Sequence, residues 1–188
     1  MGDSKATEYQ ERIQSLDSRA FRSFWEAVYA GSEIPGWASG KAHEYALLRA
    51  FELAGACVTY PFEVRASRSQ VASEQVDGVV YHDGLAFICE SKDWTRRSDI
   101  VAIAKLRVQL MRRPGTTLGI VFCKAGFTDP AKDLASYLAP QMVLLWEGVE
   151  LDQAIRECTM LESLVAKYRA AVEHGLPFWS IVDGREQA

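Results

Sequence analysis

Apolar positions recur at helical spacing towards both ends of the chain and at strand spacing through its middle. Tyr9, Ile13, Leu16, Ala20, Phe24 and Val28 fall about one helical turn apart, and Gly31 suits a stop, so one long amphipathic helix is predicted over residues 7–30. The segment GSEIPGWASG reads as a loop from its Gly, Pro and Ser content. A second helix is predicted from Lys41 to Ala54, closed by Gly55, with Leu47, Leu48 and Phe51 as its apolar stripe. Cys57 to Arg65 reads as a strand interrupted by Pro61, a residue that suits strand starts and edges. Two β-rich runs then flank Asp83-Gly84, the dipeptide that suits a two-residue type I′ hairpin turn. A third helix, Ser98 to Met111, is expected to bury Ile100, Ile103, Leu106 and Leu110. TLGIVFC, from Thr117 to Cys123, is a nearly continuous apolar run, as in a strand covered on both faces. Gly126-Phe127-Thr128 leads into a helix ending near Leu138, with Thr128 as its N-cap. Met142 to Trp146 follows as a short buried strand. Leu151, Ala154, Ile155, Cys158, Leu161, Val165, Tyr168 and Val172 then mark one long closing helix over residues 150–173.

This order (helix, three antiparallel-capable strands, helix, strand, helix, strand, helix) describes a single α/β domain over residues 1–188 with a central mixed sheet. A hydrophobic content of 48% and a charged content of 24% are ordinary for a soluble globular chain. No run approaches the roughly 20 apolar residues of a membrane span, and the first thirty residues are charged throughout, unlike a signal peptide. Cys57, Cys89, Cys123 and Cys158 are scattered without a CxxC pair, so buried thiols in a reducing cytoplasm are expected. The net charge of −4 argues mildly against a dedicated nucleic-acid coat. Its distribution changes that picture: residues 92–113 carry seven cations (Lys92, Arg96, Arg97, Lys105, Arg107, Arg112, Arg113) against Asp93 and Asp99, a local balance of +5.

Candidate chemistry follows from the hairpin. A two-residue turn at Asp83-Gly84 sets residues whose numbers sum to 167 across from each other, which places Asp77 opposite Glu90 and Gln75 opposite Lys92. With period-two alternation, Asp77, Val79 and Tyr81 share a face with Ile88, Glu90 and Lys92. Two opposed carboxylates with Cβ atoms roughly 5 Å apart repel unless a cation lies between them, and a divalent metal would resolve the repulsion. Glu44, three and four residues before Leu47 and Leu48, falls on the inward face of its helix. A core-facing carboxylate asks for a partner or a metal, whereas a first-turn Glu is also favoured by the helix dipole with its end in solvent. For Lys92 the plain alternative is an ion pair with Glu90 or Asp77. His43 reads as helix surface, and the five tryptophans as core or interface, although Trp94 is placed to stack on a base.

An acid in the first core helix, followed by D-x12-E-x-K on two later strands, resembles the PD-(D/E)XK nuclease superfamily, and within it the restriction-endonuclease-like group that includes the Mrr-type catalytic domain. The residues carrying the likeness are Glu44 in GKAHEYALLRAFELAG, Asp77 in QVDGVV, and Glu90 and Lys92 in FICESKDW, with GIVFCKAGFTDPA as the following strand and helix. It covers roughly residues 40–147 and implies a restriction-endonuclease-like αβββαβ core with added N- and C-terminal helices. It also implies Mg²⁺-dependent phosphodiester hydrolysis on DNA, with Mn²⁺ as a substitute. An acid-x-Lys triplet alone carries nothing, since Asp3-Ser4-Lys5 is a second example. Mrr-type proteins usually carry a separate DNA-recognition domain, and no pattern for one is present, so the likeness does not extend to target choice.

On this reading Asp77 and Glu90 ligate the metal, with the Ser91 carbonyl and Glu44 as further ligands, and Lys92 holds the water or offsets charge on the phosphate. Gln75 is placed to position Lys92, while Arg96, Arg97, Lys105 and Gln109 are candidate phosphate contacts. The rival reading is a nuclease fold that binds nucleic acid or assembles with other proteins without cutting. RNA is a second candidate substrate, and the terminal helices are candidate docking surfaces for a protein partner or a homodimer seam.

Overall fold

A computed structural model of the chain describes residues 2–65, 72–92 and 95–182. Among them a five-stranded mixed sheet runs in the order β1-β4-β5-β6-β7, and a two-stranded sheet β2-β3 stands beside it. The strands are β1 (Cys57–Thr59), β2 (Phe62–Arg65), β3 (Ala72–Val76), β4 (Gly78–His82), β5 (Leu85–Lys92), β6 (Thr117–Cys123) and β7 (Val143–Glu147). The helices are α1 (Gly2–Gln14), α2 (Ser18–Tyr29), α3 (Lys41–Leu53), α4 (Ile100–Leu110), α5 (Asp129–Ser136), α6 (Gly148–Arg156) and α7 (Met160–His174). Strands β1, β4 and β5 pair antiparallel, whereas β5, β6 and β7 pair parallel. This is the α/β architecture of the restriction-endonuclease-like core, a central mixed sheet flanked by helices.

Alternation along the strands builds two cores. Val80, Phe87, Cys89, Ile120, Phe122, Leu144 and Trp146 pack with α2, α3, α6 and α7 on one face. Val79, Ile88, Val121, Cys123, Val143 and Leu145 pack with α4 and α5 on the other. Strand β6 is buried at every position, as its apolar run predicts, because helices cover both of its faces. Each fully buried Leu, Ile or Phe in these layers contributes roughly 1.5–3 kcal/mol. Strand β7 would be a bare edge, but Leu145 N–H donates to the Pro177 carbonyl at 2.9 Å, so the C-terminal segment covers it.

The hairpin forms as its turn dictates. Asp83 and Gly84 both adopt positive φ (48° and 77°), and the pairs Gly78↔Cys89, Val79↔Ile88, Val80↔Phe87, Tyr81↔Ala86 and His82↔Leu85 follow the expected register.

Other expectations are corrected. The N-terminal helix is two helices, because the Asp17 carboxylate caps a new start by accepting from Ala20 N–H at 2.8 Å. The closing helix also breaks, at Cys158, which takes a left-handed φ of 58°. That break shifts the buried face, so Val165 and Val172 are exposed while Ser163 and Lys167 are buried. Cys57 and Cys158 are exposed; only Cys89 and Cys123 are buried. Pro61 ends β1, and the chain after it joins the smaller sheet. Ile100 is half-exposed rather than core, since Asp99 caps α4 and leaves its first turn open. Among the described residues, no helix is long and apolar enough to cross a membrane. The terminal helices place Ile13, Phe21, Trp25, Met160 and Leu164 in the chain's own core.

Candidate active site

The site forms where the chain leaves the small sheet for the large one. Asp77 is the single residue between β3 and β4, and Gly78 follows with φ +154°. A Cβ on Gly78 would lie 2.6 Å from Leu48 Cδ1, so glycine here lets α3 press against the start of β4. That contact brings the first turn of α3, with Glu44, up to Asp77. Across the hairpin, Glu90 alternates with Ile88 onto the face covered by α4, and Lys92 follows two residues on.

Three carboxylates thus share one pocket of field. Asp77 has a raised pKa, through burial first and then the Glu90 charge. Burial also raises the pKa of Glu44, followed by the charges of Asp77 and Glu90, with Lys41 opposing. The Glu90 side chain is 1% exposed and holds two ammonium groups: Lys92 Nζ at 2.6 Å and Lys105 Nζ at 2.7 and 2.8 Å from its two oxygens. Lys41 Nζ pairs with Glu44 Oε2 at 2.5 Å. One carboxylate oxygen, Asp77 Oδ2, accepts the Ser91 backbone N–H at 2.9 Å.

Among the described residues no group of three or more His, Cys, Asp or Glu side chains stands arranged to hold a metal ion. The reason is visible: the Glu90 oxygens face Lys92 and Lys105, and Glu44 faces Lys41. The donor chemistry nevertheless fits a hard divalent cation, since the acids are oxygen donors, and burial followed by the charge of a neighbouring acid raises the pKa of two of them.

Glu44, Asp77, Glu90 and Lys92 are brought together, and Ser91 enters through its N–H. The ion pair weighed against a catalytic Lys92 is present in this structure. Gln75 does not face Lys92, because the strand switches sheets at Asp77; Gln75 pairs with Glu63 instead. Gln109 is corrected as a phosphate contact: it is buried, with its Nε2 donating to the Gln75 carbonyl at 3.0 Å. Lys105 reaches Glu90 from α4, while Arg96 and Arg97 are exposed. The rest of the cationic run is engaged within the fold. Arg112 and Arg113 clamp Glu74 at 2.7 and 3.1 Å, and Arg107 donates to the Ala139 carbonyl at 2.9 Å. Trp94 and Asp93 lie outside the described residues.

His43 is not helix surface but 3% exposed, with Nδ1 3.0 Å from Ser91 Oγ. Burial, and then the Lys124 charge, push its pKa well down, so the ring is neutral. The signal for its burial was in the sequence, since residues 43, 46, 47 and 50 form one helical stripe. The i,i+3 spacing of Lys41 and Glu44 likewise announces their pair. Lys105 meeting Glu90 has no such local signal, because it depends on how α4 crosses the sheet.

The Mrr_cat family model, described as restriction endonuclease, matches residues 38–155, more than half of the chain and all of the site. The chain belongs to this restriction endonuclease family, of the PD-(D/E)XK type, and the class to which that points is a nuclease. Among solved structures it is similar to AF1548, a protein of unknown function, at 17% identity and a TM-score of 0.48, covering 71% of this chain and 77% of that one. It is also similar to the MspJI restriction endonuclease in complex with a 27-mer oligonucleotide, at 17% identity and a TM-score of 0.36. That match covers 92% of this chain but spans only 36% of the MspJI chain. No curated protein matches the sequence.

Proposed function

We propose that this domain is a divalent-metal-dependent nuclease that hydrolyses phosphodiester bonds in DNA. One observation carries the reading: the buried Glu90 carboxylate, with the partly exposed Lys92 ammonium 2.6 Å away, lies close enough to Asp77 and Glu44 for its charge to act on both, adding to the burial that raises their pKa values. Membership of the restriction endonuclease family supports it. Asp77 and Glu90 would hold Mg²⁺, or Mn²⁺ in its place, with Glu44 and the Ser91 carbonyl as further oxygens. Bound there, the ion supplies Lewis-acid polarisation of the phosphate and lowers the pKa of a water. Lys92, with a third of its side chain exposed, has the reach to leave Glu90 and offset negative charge on the reacting phosphate. Lys105 keeps the Glu90 carboxylate oriented. Where it does not ligate the ion directly, Glu44 is placed to orient a water. Arg96 and Arg97 offer exposed cations to the phosphate backbone.

The test is incubation with supercoiled, linear and single-stranded DNA and with RNA, in Mg²⁺, Mn²⁺ or EDTA. Metal-dependent cutting of DNA that is lost in Glu90→Ala and Lys92→Ala is expected; cutting by those variants at the parental rate contradicts the assignment. A second reading, a nuclease fold that binds without cutting, draws on the lysines that already engage Glu44 and Glu90. Titration with Mn²⁺ separates the two, because the silent form binds no ion that Asp77→Asn would abolish.

A further inference from the structure

We propose that His43 and Ser91 are positioning residues for this site, acting through the hydrogen bond that joins them; the proposal rests on the nuclease reading above. Ser91 is the residue between Glu90 and Lys92, and by strand alternation its side chain points to the opposite face of β5. There its Oγ meets His43 Nδ1 at 3.0 Å. His43 is the chain neighbour of Glu44. The Ser91 backbone N–H meanwhile donates to Asp77 Oδ2 at 2.9 Å. Residue 91 is therefore tied by its backbone to one acid and by its side chain to the neighbour of a second, and it is covalently next to the third acid and the lysine.

The first turn of α3 needs such an anchor. Its N-cap is Gly40 in the left-handed conformation, and no side chain caps it. Without a capping side chain, the bond to Ser91 ties the turn that carries Glu44 to β5, whereas the Lys41–Glu44 pair and the turn's own backbone bonds stay within α3 and the loop before it. With His43 3% exposed, water competes poorly for that bond. Small displacements of a reacting group lower rate steeply, so a strut here sets the separation of Glu44 from Asp77 and Glu90.

The experiment compares the full chain with His43→Phe, His43→Asn, Ser91→Ala and the double variant His43→Phe/Ser91→Ala. Phe keeps the ring and its burial, whereas Asn keeps a polar atom at the place of Nδ1. Three quantities are read: the Mn²⁺ dissociation constant by calorimetry, kcat and KM for plasmid cleavage in Mg²⁺, and Tm. Phe and Ala are expected to weaken Mn²⁺ binding and lower kcat by roughly tenfold, the usual size for a lost partner of a ligating group. KM for DNA should stay within about twofold, Asn should restore most of the loss, and the double variant should be no worse than either single. Parental Mn²⁺ binding and kcat in His43→Phe, additive losses in the double variant, or no recovery with Asn would each overturn the proposal. If the parent binds Mn²⁺ in the expected pattern but cuts no nucleic acid, the strut stands and the nuclease reading falls. If the parent cuts and His43→Phe cuts equally well, the nuclease reading stands and the strut falls. A parent that neither binds Mn²⁺ nor cuts refutes both.

Discussion

Two buried glutamates each hold a lysine ammonium, and the difference between them separates scaffold from candidate site. Glu150 and Lys167 meet at 2.6 Å with side chains 3% and 0% exposed. Every charge there is answered within the chain. Glu150 accepts the N–H groups of Ile181 and Glu147 at 3.0 and 2.9 Å, while Lys167 donates to the Trp179 carbonyl and lies over the Trp146 ring. Glu90 is as deeply buried, but its partners Lys92 and Lys105 are 34% and 46% exposed. The closed pair gives a ligand no way in; the open pair offers a desolvated carboxylate whose counter-ions can swing into water on flexible stems. Burial of a charge does not mark a functional group by itself. What sets Glu90 apart is that its exposed partners are flexible lysines and that Asp77 and Glu44 lie within its field.

The largest contrast is in stability. Lys167→Met leaves Glu150 charged and unpaired in the core, at a cost of about 3–5 kcal/mol, and should lower Tm by on the order of 10 °C. Adding Glu150→Gln should recover much of that, as measured by thermal unfolding. An unchanged Tm in the single variant would break the contrast from the scaffold side. On the open pair the same substitution should act differently. Lys105→Met should leave Tm nearly unchanged, because the ammonium is half in water and Lys92 still answers Glu90, while plasmid cleavage drops roughly 10–100-fold. A large Tm loss with intact cleavage would invert the comparison.

The smallest effect sharpens it through pH. Burial and the Glu90 charge raise the folded-state pKa of Asp77 above its unfolded value. Its contribution to stability is therefore full below the unfolded pKa and lost as pH rises through the folded pKa. Metal-free Asp77→Asn, which can still accept the Ser91 N–H, should melt higher than the parent at pH 8, by roughly 2–4 °C, the equivalent of about 1 kcal/mol in a chain of this size. That advantage should vanish near pH 4, and a gain that persists there would contradict the electrostatic origin.

Much of the site was readable because it rests on local rules. Asp83-Gly84 sets a turn, the turn sets a register, and the register sets Asp77 and Glu90 within each other's field. The strands β6 and β7 were legible from apolar runs alone. What escaped depends on breaks shorter than the period used to read them. The pattern Ile13, Leu16, Ala20, Phe24 reads as one stripe through Leu16 and Asp17, but after the Asp17 cap α2 buries Phe21, Trp25 and Val28 and leaves Ala20 exposed. At Cys158 the break rotates α7, which hid Lys167 from any prediction based on one continuous helix. The strand switch at Asp77 likewise moved Gln75 away from the role that an unbroken hairpin suggests, and Gln109, expected to reach a phosphate from α4, is buried against the Gln75 carbonyl.

The central claim meets its most direct test in single-turnover cleavage of supercoiled plasmid in Mg²⁺ by the parent and by Asp77→Asn, side by side. The account expects nicking by the parent and a rate at least about 100-fold lower in the variant, the size usual for losing a group that stabilises charge in the reaction, at an equal or higher Tm. Equal rates for the two proteins would contradict it.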